Sequence, residues 1–162
     1  MERLRNPDLW GALIIIFVTL FFSALVVVNR SLFGFLVGSL QFTHWMSLIG
    51  GLWIAFVTPI YYVLKRRRPN RIKELVRIHI FGNLVAFLFI SVHFTYWIIS
   101  VSFMGTGLAL FVAVFALVLT GLLNRFNLMQ ISTRYIRSLH VSMTTAFYLV
   151  LIIHILNHTI RL

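Results

Sequence analysis

The stretch RIHIFGNLVAFLFISVHFTYWI, residues 77–98, decides the fold. After Arg77 it carries no charged side chain. As a helix rising about 1.5 Å per residue, it is long enough to cross the roughly 30 Å hydrocarbon layer of a bilayer. Four further runs meet the same criterion, so spans are expected at about 10–28, 44–64, 77–99, 105–123 and 137–158. The fold class that follows is an all-α integral membrane bundle of five transmembrane helices, forming one transmembrane domain over residues 1–162. Arg3 and Arg5 ahead of the first run mimic a signal peptide, but the run is too long for an ordinary signal h-region and reads as a retained helix. Pro59 falls inside the second run and is expected to kink that helix rather than end it.

Composition supports the same class. The 162 residues are 60% hydrophobic and 10% charged, more apolar surface than a soluble domain of this size can hide. The net charge of +11 raises the possibility of nucleic-acid binding, but the basic residues sit in short segments between apolar runs, which is a membrane pattern. With no cysteine, disulfides, iron–sulfur clusters and thiolate metal sites are excluded. Glu2, Asp8 and Glu74 all lie outside the apolar runs, which argues against a proton pump or ion-coupled transporter.

Charge also sets orientation. Arg3 and Arg5, the seven basic residues from Lys65 to Arg77, and Arg125, Arg134 and Arg137 fall on one side of alternating spans; only Arg30 and Arg161 fall on the other. The positive-inside rule then predicts a cytoplasmic N-terminus and an external C-terminus. Residues 30–43 are apolar for a loop and are expected to form a short interfacial segment outside, and residues 124–136 an inner loop along the headgroups.

Four of the six histidines form a pattern. His79 and His93 are fourteen residues apart on the third span, and His140 and His154 fourteen apart on the fifth. Fourteen helical residues rise about 21 Å and return to within about 40° of the starting face. Each span therefore presents two imidazoles on nearly one stripe. Because the third and fifth spans run in the same direction, His79 is expected level with His140 on the inner side, and His93 with His154 on the outer. Facing helices of a bundle supply axial ligands in this way, so the spacing suits two b-type haems, each held by two histidines. Gly82, one turn from His79, is expected to let a porphyrin approach the helix, and Ser142, Thr144 and Ala146 keep the fifth span slim. His158, one turn beyond His154, is an alternative ligand on the same stripe; His154 reproduces the spacing and sits deeper. With His44 and Arg30, His158 otherwise belongs to a possible outer-face site. Arg77, Arg134 and Arg137 on the inner side, and Arg30 and Arg161 on the outer, are candidate partners for haem propionates, although topology alone also places arginines inside. Trp10, Trp45, Tyr96, Trp97 and Tyr148 read as ordinary boundary aromatics.

Residues 77–98 together with TGLLNRFNLMQISTRYIRSLHVSMTTAFYLVLIIHILNH, residues 120–158, resemble the ferric-reductase-like transmembrane domain. That domain is shared by ferric reductases, NADPH oxidases and the haem subunit of a bacterial methionine sulfoxide reductase system. The resemblance covers the second to fifth spans. It implies two haem b groups, ligated by His79 with His140 and by His93 with His154. It also implies electron flow from a cytoplasmic flavin or from quinol to an external acceptor. Many relatives continue through a sixth helix into a flavin- and nicotinamide-binding domain. This sequence shows no G-x-G-x-x-G, so the expected donor is a separate flavoprotein, quinol or other redox subunit.

The leading expectation is thus a di-haem electron-transfer protein of a prokaryotic plasma membrane, an oxidoreductase component with lipid and redox proteins, not nucleic acid, as its partners. Two rivals stand beside it. One is a quinone-reactive cytochrome b subunit of a respiratory complex; the other is a haem-free structural subunit whose histidines bond helices together.

Overall fold

A computed structural model describes residues 6–100, 105–127 and 133–160, and the chain there is helical apart from one small hairpin. The helices are α1 (Pro7–Val28), α2 (Phe42–Arg67), α3 (Ile72–Ser100), α4 (Gly105–Phe126) and α5 (Thr133–Ile160). All five are long and apolar enough to cross a membrane. They carry large apolar side chains on their open faces, such as Phe17 on α1, Phe56 on α2, Phe115 on α4 and Leu149 on α5. Exposed apolar surface on this scale is what helices turned toward lipid present.

The helices outrun the apolar stretches at their charged ends. α2 continues through Lys65, Arg66 and Arg67, and α3 begins at Ile72, ahead of Lys73 and Glu74. Lys, Arg and Glu are good helix formers, so hydropathy marks where the apolar face stops and not where backbone hydrogen bonding stops. α1 starts where local chemistry favours a start. The Asn6 side chain accepts from the Asp8 amide at 3.0 Å, Pro7 opens the first turn, and Asp8 sits at the positive end of the helix dipole. Pro59 does not end α2, which runs on to Arg67.

Two compact units divide the chain at residue 101. In the first, α3 packs against both α1 and α2. The contacts are close because glycines remove side chains where the helices meet. A Cβ at Gly11 would stand 2.9 Å from the Phe81 ring, and one at Gly50 would stand 2.8 Å from the Ala86 carbonyl oxygen. Small residues at helix crossings bring backbones together in this way. Val26, Phe33, Met46, Val92 and Tyr96 form the buried cluster at the end away from the basic loop.

Residues 30–43, expected as an interfacial segment, fold into a single turn (Arg30–Leu32) and an antiparallel hairpin pairing β1 (Leu36–Val37) with β2 (Leu40–Gln41). Its two-residue loop needs a positive φ, which Gly38 supplies at 65°. The Trp45 indole donates to the Val37 carbonyl at 2.9 Å and ties the hairpin to α2.

The second unit contains the antiparallel pair α4 and α5. Ala113, Val114 and Leu117 of α4 are buried, as are Ile136 and Phe147 of α5. The segment expected as an inner loop is shorter than residues 124–136. α4 continues to Phe126, Asn127 takes the left-handed conformation that ends many helices, and α5 resumes at Thr133. Residues 128–132 lie outside the described residues.

Candidate functional site

The second unit places two histidines against a repeated dipeptide. On α5, His140 and His154 are separated by fourteen residues, and on α4 Thr106-Gly107 and Thr120-Gly121 are separated by the same fourteen. The antiparallel register sets Thr120 beside His140 and Thr106 beside His154. The Thr120 Oγ1 lies 2.9 Å from His140 Nδ1, and the Thr106 Oγ1 lies 3.3 Å from His154 Nδ1. Each adjoining glycine faces the same imidazole at ordinary contact distance. A Cβ at Gly121 would be 3.4 Å from His140 Cε1, and one at Gly107 would be 3.8 Å from His154 Cε1.

Hydroxyls at these positions also satisfy themselves within the apolar layer. Thr120 donates to the Ala116 carbonyl at 2.7 Å, Thr144 to the His140 carbonyl at 2.9 Å, and Ser142 to the Ser138 carbonyl at 3.1 Å. Such bonds to the preceding turn keep a hydroxyl from being stranded in hydrocarbon. The His154 ring, like that of His140, is half-buried, and the side chain of His158 lies outside the described residues.

The first unit surrounds its two histidines with aromatic rings from α2. The His79 imidazole stacks on Tyr61, with centroids 4.3 Å apart and planes 15° apart. The Asn83 amide nitrogen stands 3.4 Å from His79 Nδ1. His93 meets His44 edge to face at 5.2 Å, and Trp97 lies 5.0 Å from His44 and 6.2 Å from His93. His44, in the first turn of α2, is therefore part of the setting of His93. Beside these rings the Trp97 Nε1, the Asn83 Oδ1 and the Ser91 Oγ are buried with no hydrogen-bond partner among the described residues.

Three other sequence-predicted residues have work of their own in the first unit. Gly82 is covered by the Trp53 indole, into which a Cβ at that position would run. Its missing side chain serves the α2–α3 contact. Arg77 forms an ion pair with Asp8 of α1, Nε to Oδ1 3.1 Å, which joins the starts of α1 and α3. Arg30 lies over the Tyr96 ring, 4.8 Å from its centroid, a cation–π contact that seats the turn after α1. Arg134 and Arg137 are exposed on the first turns of α5.

The donor set fits a metal-bearing macrocycle that takes nitrogen ligands. Each of α3 and α5 offers two imidazoles fourteen residues apart, and on α5 each Nδ1 atom stands beside a threonine hydroxyl. Where the hydroxyl accepts from Nδ1–H, the opposite ring nitrogen, Nε2, is the one that would take a metal. Sequence reasoning found the histidines and missed the threonine–glycine pairs. Their signal was the same fourteen-residue repeat on the neighbouring span. Compared with known proteins, the chain matches no family model, no curated protein and no solved structure.

Proposed function

We propose that the chain is an integral membrane cytochrome of the b type that binds two haems and passes electrons across the bilayer. The donor is a cytoplasmic flavoprotein or quinol, and the acceptor stands at the external face of a prokaryotic plasma membrane. The observation that carries this reading is the shared spacing. His79 and His93 on α3, His140 and His154 on α5, and the two threonine–glycine pairs on α4 all repeat at fourteen residues. A ligand pair at each of two depths is what a transmembrane electron path requires, because one redox centre does not bridge roughly 30 Å of hydrocarbon.

In this reading His79 and His140 hold the inner iron, and His93 and His154 the outer. The fourteen-residue spacing that His154 reproduces supports it over His158 as ligand. Twelve of fourteen Lys and Arg residues on one side support a cytoplasmic N-terminus and an external C-terminus. Arg134 and Arg137, exposed on α5, suit the inner propionates better than Arg77, whose guanidinium is engaged with Asp8. When bound, haem would supply a reversible one-electron iron couple, and a histidine from each of two helices would hold it. The chain's own share is to hold the ligands, fix their ring orientation and keep water out with apolar side chains such as Val114, Leu117 and Phe147.

Dithionite reduction of the purified full chain is expected to give a b-type α-band with about two haems per chain. His154→Ala or His93→Ala is expected to remove one haem selectively. Retention of both would break the ligand pairing, and a colourless, folded protein would end the reading. The second reading, a haem-free structural subunit, is favoured by one observation: Thr120 and Thr106 already bond α4 to α5 through the histidines. The same spectrum separates the two.

A further inference from the structure

We infer that Thr120 is a positioning residue that fixes the tautomer of His140 and tunes the haem it holds, with Thr106 standing in the corresponding place beside His154. The inference rests on the di-haem reading and extends it to residues that touch neither iron nor porphyrin.

The argument begins with one hydrogen. A threonine hydroxyl has a single proton to give and two lone pairs to receive with. Thr120 donates to the Ala116 carbonyl at 2.7 Å, inside its own helix. Its proton is then committed, and the 2.9 Å approach of His140 Nδ1 to the same oxygen has to be a bond donated by the imidazole. The Leu117 carbonyl, 3.2 Å from that hydroxyl, is a second acceptor for the same proton within α4. As the acceptor, the Thr120 oxygen places the imidazole proton on Nδ1. The lone pair is therefore on Nε2, the atom that coordinates iron. Thr106 stands 3.3 Å from His154 Nδ1 at the corresponding level, with Gly107 where Gly121 stands below His140. Two positions on α4 repeat the same residues in the same order against the same ring edge. Helix packing alone asks only for small residues there, and alanine or serine would meet that need.

An Nδ1–H bond to an acceptor raises the basicity of the coordinating nitrogen. A more basic ligand favours ferric over ferrous iron, so each threonine lowers the potential of its own haem. Removing the hydroxyl is expected to raise that potential and to weaken haem retention by about tenfold.

The test uses the full chain with 15N-labelled histidine, first before haem loading and then with two haems bound. Before loading, the nitrogen shifts of His140 are expected to report the Nδ1–H tautomer, and Thr120→Val to shift it toward a mixture. After loading, a redox titration of Thr120→Val is expected to move one midpoint upward and leave the other in place. Thr106→Val is expected to move the other midpoint. Thr120→Ser keeps the hydroxyl and is expected to restore both readouts, which separates the bond from the bulk of the side chain. An Nε2–H tautomer in the parent chain, or midpoints and shifts unmoved by Thr120→Val, overturns the inference. A parent chain that takes up no haem overturns the electron-transfer reading, and the ligand role with it, whatever the tautomer.

Discussion

An imidazole inside a membrane helix has two nitrogens and, when neutral, one proton, so it needs an acceptor on one side and a donor or a metal on the other. On the inferred tautomer, His140 meets the first need with Thr120. The histidines were legible in the sequence because few polar residues interrupt the apolar runs and a repeat among them stands out. Thr120 and Thr106 were not, since threonine and glycine are ordinary in membrane helices and acquire meaning only from the register of α4 against α5. Gly82 illustrates the converse. Its place one turn from His79 suggested a cradle for a porphyrin, while the space above it is filled by Trp53 from α2, a residue that spacing along one helix cannot bring into view. Gly82→Ala is expected to displace that indole, costing about 1–3 kcal/mol of stability by overpacking and changing tryptophan emission. Emission and melting identical to the parent would show that Trp53 does not lean on Gly82.

At the scale of elements, hydropathy located all five helices and erred at their ends, where charged helix formers carry the backbone past the apolar run. Residues 30–43 were read as an interfacial segment because they are apolar; their pairing into a hairpin depends on Gly38 and on the Trp45 bond, neither of which is a hydropathy signal. Helix contacts follow the glycines, and those glycines are not equivalent. A Cβ at Gly50 meets the Ala86 backbone oxygen at 2.8 Å, and a carbonyl in a helix has nowhere to retreat. A Cβ at Gly107 meets only His154 Cε1, at the ordinary distance of 3.8 Å. Alanine gains about 1 kcal/mol over glycine in helix propensity at either site. At Gly50 that gain is outweighed by overpacking, so Gly50→Ala is expected to lower stability by about 1 kcal/mol net. Gly107→Ala is expected to be neutral or stabilising. Thermal unfolding in detergent distinguishes them, and equal effects at the two positions would refute the account of the α2–α3 crossing.

For the whole molecule the governing quantity is the distribution of charge. The basic segment from Lys65 to Arg77 joins α2 to α3, and the hairpin between α1 and α2 carries Arg30 as its cation. The chain has no cysteine, so single cysteines introduced at exposed positions report sidedness without background. Ser39 in the hairpin loop and Asn70 in the basic segment are both exposed. With an impermeant maleimide on intact cells, Ser39→Cys is expected to label and Asn70→Cys to label only after lysis. The reverse pattern would invert the proposed topology and exchange the donor and acceptor sides.

The repeated threonine–glycine levels on α4 have one more consequence. Their two sites repeat one residue pair, displaced about 21 Å along the helix pair, so α4 and α5 set a threonine hydroxyl beside an imidazole at both depths. A ladder with identical rungs has no preferred direction. In the proposed reading, the larger difference between the two haems' surroundings lies in the first unit, where Tyr61 and Asn83 attend His79 but His44 and Trp97 attend His93. One half of the protein then supplies the rungs, and the other half tilts the ladder.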